Sequence, residues 1–94
     1  MNFLFARERD GTIHFRKRHP EVTVREVKEL FEFKMAVQPT YRGALKGVGH
    51  TRDRRFLVVI FKWGRKKDSV FILTAYPAKR KHVEVYLRTV GGRP

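Results

Sequence analysis

Toward the ends of its most apolar segments the chain carries cationic, imidazole and phenol side chains: Arg54, Arg55, Lys62, Arg65, Tyr76, Lys79, Arg80, His82 and Tyr86. These are the group types that cleavage of RNA without a metal requires. RNA brings its own nucleophile, the 2'-hydroxyl. One protein group must take its proton, another must protonate the leaving 5'-oxygen, and cations must offset the charge that grows on the phosphorane. In that scheme Arg54, Lys62 and Arg80 hold phosphate, while Tyr76, Tyr86, His82 or His19 manage protons. A plainer assignment uses the same residues without chemistry: the cations form a solvated face, Tyr86 packs on a sheet, and His82 is a surface histidine.

The remaining candidates divide in the same way. His19, before Pro20 at the mouth of a helix, is either an active-site group or part of an ordered bend. His82 and Tyr86 lie one helical turn apart, which brings them near each other but does not orient them. His14 and His50 read as structural or exposed. Trp63 precedes Gly64, Arg65, Lys66 and Lys67 and suits either stacking on an unpaired base or packing at a strand end. Arg52, Arg55, Arg65, Lys66, Lys67 and Lys79 are the further expected RNA contacts. No metal site is expected, because His14 and His19 are separated by basic residues and the carboxylates lie mostly on one helix or in turns. There is no phosphate-cradling glycine loop and no nucleophile elbow. No cofactor is expected.

The charge is unevenly placed. Up to Tyr41 the chain has 8 Lys and Arg against 6 Asp and Glu, and beyond it 14 against 3, so the net +13 divides into +2 and +11. Such an asymmetric field concentrates a polyanion, and nucleic acid is the first partner to consider. The basic part also contains the apolar runs Phe56 to Phe61 and Val70 to Ala75, so the charge is displayed on a folded scaffold. With 94 residues, 41% hydrophobic and 13% aromatic, one domain spanning 1–94 with a modest core is expected, ending in a short tail at 91–94. Cysteine is absent from the sequence, so no disulfide or thiolate site can staple the fold. No apolar run reaches about 18 residues, and the start MNFLFARERDG reaches charge too early for a signal peptide. A cytoplasmic protein without membrane attachment is the expectation.

The elements that must position these groups can be read along the chain. Phe3 to Phe5 and Thr12 to Phe15 predict a hairpin turning at Asp10-Gly11. Pro20 breaks regular structure. Thr23 with Glu26 forms a capping box, and Val24, Val27, Leu30 and Phe31 share a helical stripe, with Glu26, Glu29 and Glu32 facing elsewhere, apart from the basic half. A connection runs through Gln38-Pro39, Tyr41 to Thr51 reads as an irregular strand, and Thr51 to Arg54 as a turn. RRFLVVIFKW predicts a central strand buried on both faces, paired with VFILTAY and closed by Pro77. Ala78 to Thr89 then has helical spacing, with an apolar stripe of Val83, Leu87 and Val90 beside one of Lys79, His82 and Tyr86. The expected fold is α+β: an antiparallel sheet of about four strands with helices packed on it.

From about His14 to Tyr86 the chain resembles the BrnT-like ribonuclease toxins of the RelE superfamily in bacterial toxin-antitoxin systems. The resemblance rests on RKRHPEV, the helix TVREVKELF, the strands RRFLVVIF and SVFILTAYP, and Ala78 followed eight residues later by Tyr86. It implies a RelE-like fold, metal-independent cleavage of messenger RNA, and a partner antitoxin that restrains it, usually a DNA-binding protein encoded beside it. Two positions depart from the pattern. Thr74, Ala75 and Tyr76 stand where the family ends this strand in serine, alanine and arginine, as in phage-associated relatives, and His82 stands where it usually has glutamate. Tyr76 and His82 could replace the lost groups, or the chain could bind without cutting.

Three functions are consistent with these features. The first is a metal-independent endoribonuclease toxin. The second is a non-catalytic nucleic-acid-binding module using the same basic face, and the third is an interaction protein whose positive surface meets an acidic partner. Cleavage specificity, ribosome dependence, oligomeric state and the antitoxin's identity are not written in the sequence.

Overall fold

A computed structural model describes residues 1–91 of the chain. Five strands form one mixed sheet: β1 (Asn2–Phe5), β2 (Ala36–Pro39), β3 (Leu45–His50), β4 (Phe56–Trp63) and β5 (Ser69–Pro77), in the spatial order β1-β5-β4-β3-β2. Helices α1 (His14–Arg18), α2 (Val24–Leu30) and α3 (Arg80–Tyr86) pack on it. The α+β class holds, with five strands in place of about four and a parallel pair in an otherwise antiparallel sheet. Of the expected tail at 91–94, Gly91 ends the last helical turn (Leu87–Gly91), and residues 92–94 lie outside the described residues.

One strand that pairs differently from the expectation and one strand absent from it explain the difference. β1 does not fold back on Thr12 to Phe15. It pairs parallel to β5, Phe3 opposite Val70 and Phe5 opposite Ile72, because that register sends Phe3 and Phe5 into the core beside Phe31 and Phe15. The expected turn at Asp10-Gly11 is made, with the Glu8 amide donating to the Thr12 carbonyl and one bridge between Arg7 and Ile13, but the returning segment does not become a strand, and His14 to Arg18 form a helix instead. β2 is the segment taken for a connection through Gln38-Pro39. It pairs with β3 at the sheet edge, where proline's missing N–H is tolerated.

Other elements follow their local chemistry. Thr23 Oγ1 accepts from the Glu26 amide while the Glu26 carboxylate accepts from the Thr23 amide, so both ends of the capping box are made. Helix α1 stops at His19, before Pro20, and Arg16 fixes the bend by donating to the Val22 carbonyl at 2.6 Å. The turn after β3 places Arg54 at φ 67. In the β4–β5 turn Gly64 is required, since a Cβ there would lie 2.0 Å from Ser69 Oγ.

β4 is buried on both faces because its alternating residues serve two cores. Leu57, Val59 and Phe61 meet Phe15, Val22, Val27 and Leu30 under α1 and α2. Val58 and Ile60 meet Ala36, Val48 and Tyr86 under α3. The pairing of β4 with β5 slips at Ile60/Phe61, leaving Leu73 without an opposite residue. Such a bulge bends the strand and re-aims its side chains. Leu73 joins the α3 side, with Tyr76 beyond it.

Helix α3 corrects one stripe. Val83, Leu87 and Val90 were expected to face the sheet, but Leu87 is exposed, and His82 and Tyr86 are the residues that pack inward, with Val90 following them.

Candidate functional site

Three of the expected proton-transfer groups meet near the C-terminal end of β5. The Tyr76 ring, near the end of β5, lies 5.9 Å from the His19 ring and 6.3 Å from the His82 ring, centroid to centroid. His19 arrives from the end of α1 and His82 from the first turn of α3, so the cluster joins elements from both faces of the sheet. Tyr86 does not belong to it. Tyr86 is buried against Phe56 and His50, with ring centroids at 5.2 and 6.1 Å, which makes it a packing residue of the α3 core.

The environment of each ring sets what it can do. His82 is not a surface group: only 8% of it is exposed. Its Nδ1 accepts from the Lys79 backbone N–H at 2.9 Å. This is half of a capping box, since a lysine side chain has no acceptor to return. Accepting at Nδ1 fixes the neutral tautomer with the proton on Nε2. Burial first, then the charges of Lys46, Lys81 and Lys79, push the His82 pKa below its ordinary value. His82 is therefore a neutral imidazole that offers an Nε2–H, a donor more than a proton acceptor.

His19 has a different contact. Its Nδ1 lies 3.5 Å from a Glu21 carboxylate oxygen. Tyr76 is half-buried. Burial first, and then the neighbouring Tyr41 phenol, push its pKa up, so it keeps its proton through the neutral range. The three rings thus comprise an imidazole beside a carboxylate, a phenol that retains its proton, and a neutral imidazole with an Nε2–H.

The expected cations are scattered more widely than the sequence suggested. Arg52 forms a bidentate pair with Glu32 at 2.9 Å through both Nε and a terminal nitrogen, and its backbone N–H donates to Glu29. Arg55 donates to both oxygens of Glu26 and to the Glu21 carbonyl. These two arginines fasten the β3–β4 turn to α2, so the acidic helix is joined to the basic half and does not stand apart from it. Arg54 is exposed in the same turn, and Lys79 and Arg80 are exposed at the start of α3, where Arg80 stands 3.5 Å from Glu84.

Lys62 lies four residues along β4 from Val58, the residue opposite Tyr76. At the strand rise that is about 13 Å away, out of direct reach of the ring cluster. Trp63 points to the opposite face, its ring 5.3 Å from Phe61 and 6.4 Å from Phe31, while still 58% exposed. Arg65, Lys66 and Lys67 are exposed in the β4–β5 turn, at the far end of the sheet from Pro77.

Lys46 was missed. It projects from β3 on the α3 side, opposite Ile60, and lines with His82, Lys81 and Gln38 a groove of about 270 Å³ between β2 and α3. Strand alternation in LKGVGH, with Lys46, Val48 and His50 on one face, was the available signal. Among the described residues no three His, Asp or Glu side chains gather as metal ligands, and no helix is long and apolar enough to cross a membrane.

Comparison of the chain with protein-family models, curated proteins and solved structures finds no match.

Proposed function

We propose that the protein is a metal-independent endoribonuclease of the RelE-like toxin type, restrained by a partner antitoxin, with its centre at His19, Tyr76 and His82. The observation that carries this reading is the row of rings itself, a phenol flanked at 5.9 and 6.3 Å by two imidazoles. His19 Nε2 takes the 2'-hydroxyl proton as the 2'-oxygen bonds to phosphorus. The P–O5' bond breaks, and Tyr76 donates its proton to the departing 5'-oxygen. The His82 Nε2–H, with Lys46 and Lys79 nearby, offsets charge on the phosphorane oxygens. The products are a 2',3'-cyclic phosphate and a 5'-hydroxyl.

The test is incubation of the purified protein with RNA in EDTA, followed by analysis of fragment ends. Fragments ending in 2',3'-cyclic phosphate support the proposal, and intact RNA overturns it. One observation favours the second reading, a module that binds without cutting. The Nδ1 of His82 is committed to the Lys79 amide, a structural task that a pure binding protein would also need. Intact RNA that shifts on a gel with strong salt dependence would select that reading.

A further inference from the structure

On the α3 side of the sheet, beyond the ring cluster, Arg7, Tyr41, Arg42 and Lys62 surround a groove of about 450 Å³ floored by Leu73 and Thr74. Its size is within the roughly 300–1,000 Å³ typical of small-ligand sites. The three cations come from three separate parts of the chain: the segment after β1, the turn Tyr41–Gly43, and β4. Cations gathered from unconnected elements around one concavity raise its potential far more than the same charges spread over a surface. The nearby acid, Glu8, is already engaged by His14 and Lys17 and does not cancel them.

Two features of the corner are costly to the fold alone. Tyr41 leaves 62% of its surface in solvent, although it is a large aromatic ring. Arg42 sits at φ 54, ψ 34, a left-handed conformation that is strained for a non-glycine residue. Together they present a phenol face and a guanidinium at the rim of a cationic groove. The groove also leads toward the ring cluster, since Thr74 on its floor lies two residues before Tyr76 along β5.

We infer that this groove is a binding subsite for one unpaired nucleotide of single-stranded RNA, the base stacked on Tyr41 and the adjoining phosphates held by Arg42, Lys62 and Arg7. It rests on the reading of the protein as an RNA enzyme and extends it by naming the substrate form: an unpaired strand that continues from this subsite to Tyr76. A duplex is excluded by the same chemistry, because its bases have no free face to offer a tyrosine.

The experiment measures binding of a fluorescein-labelled, 2'-O-methylated oligouridylate of eight nucleotides, which has no free 2'-hydroxyl and stays intact, across a salt series. Tyr41→Ala should weaken binding about tenfold, the usual scale for one lost stacking contact, and Tyr41→Trp should preserve it. Arg42→Gly relaxes the left-handed position, so the fold is kept while the charge is lost. It and Lys62→Ala should each flatten the slope of log K against log salt by about 0.7, the value for one phosphate contact on a single strand. Wild-type affinity in Tyr41→Ala, unchanged slopes in both cation variants, or equal binding of a hairpin duplex would overturn the subsite. If the wild type leaves cleavable RNA intact while Tyr41→Ala loses affinity, the enzymatic reading fails and the subsite stands. If RNA is cut but these variants bind normally, the subsite alone fails.

Discussion

The Tyr76 and His82 rings meet at 62° with their centroids 6.3 Å apart, and burial shifts the two groups in opposite senses. Burial disfavours whichever form is charged, so the phenol holds its proton and the imidazole stays neutral. Tyr76→Phe removes only the hydroxyl and keeps the ring that packs against the α3-side core. Cleavage should fall by about 10²- to 10⁴-fold, the scale of a lost general acid. RNA affinity and the melting temperature should stay near wild type. A variant that cuts at the wild-type rate removes Tyr76 from the mechanism.

The His82 shift also predicts a pH dependence of stability. Its folded pKa lies below the ordinary 6.5, so on acidification the unfolded chain takes up the proton first. Stability is unaffected above that value and declines as pH falls through it toward the folded pKa. His82→Gln is the informative variant, because glutamine at this helical position can accept from the Lys79 amide as in an ordinary capping box and does not titrate. Thermal unfolding followed by circular dichroism from pH 7.5 downward should show the wild type losing stability relative to His82→Gln. Parallel curves would mean that His82 is not held neutral.

Glu26 should act in the opposite chemical sense but at lower pH. Partial burial works against its ionisation, but the Thr23 amide and the Arg55 guanidinium outweigh that and hold its carboxyl below the ordinary 4.5. The stabilisation is complete above the unfolded value and is lost as pH falls through the folded one. Glu26→Gln should therefore be less stable than wild type at pH 7, with the gap closing below about pH 4 as the wild-type carboxylate is protonated. Urea midpoints at pH 7 and pH 3 measure both ends, and an equal gap at the two would refute the ion pair's role.

Arg52 and Lys46 should behave differently toward RNA, although each carries one positive charge. Arg52 is committed to Glu32 and Glu29, so Arg52→Ala should lower thermal stability slightly and leave the salt slope of RNA binding unchanged. Lys46 faces the groove beside His82, and Lys46→Ala should flatten that slope by about 0.7. Fluorescence anisotropy across a salt series decides both, and the reverse ranking would move the interface to the α2 side.

Phe61 tests the core independently of function. It is fully buried and meets Phe31 and Trp63 edge-on. Phe61→Ala should cost about 3–5 kcal/mol, read as a lower urea midpoint with an unchanged m-value. A cost under about 1 kcal/mol would mean that this layer is not packed as described.

Features dictated within a few residues were legible in advance. The Thr23–Glu26 box starts α2, Pro20 ends α1, and the apolar runs of β4 and β5 pair through a turn that only Gly64 fits. β2 was missed because four residues are too short for alternation to mark a strand, and β1, expected as a strand, was given the wrong partner because its true one lies far along the chain. In α3, period alone could not distinguish the Val83–Leu87 stripe from the neighbouring His82–Tyr86 one. What decided it is the inward turn of His82, whose Nδ1 accepts from the Lys79 amide and which packs with Tyr86 against the sheet.

The sequence by itself determined the secondary elements with strong local signals, the α+β class and the excess of positive charge after Tyr41. Those depend on composition and on contacts a few residues apart. Tertiary structure alone decided which charges remain available and which rings meet. Arg55 finds Glu26 from 29 positions away, so a charge summed along the chain overstated the free field on that side. His19, Tyr76 and His82 converge because the sheet order and the end of α1 bring three distant segments to one edge, whereas Tyr86, one turn from His82, is taken into the core. Long-range pairing depends on how the two hydrophobic faces of the sheet are covered, a property of the whole fold that local spacing does not encode.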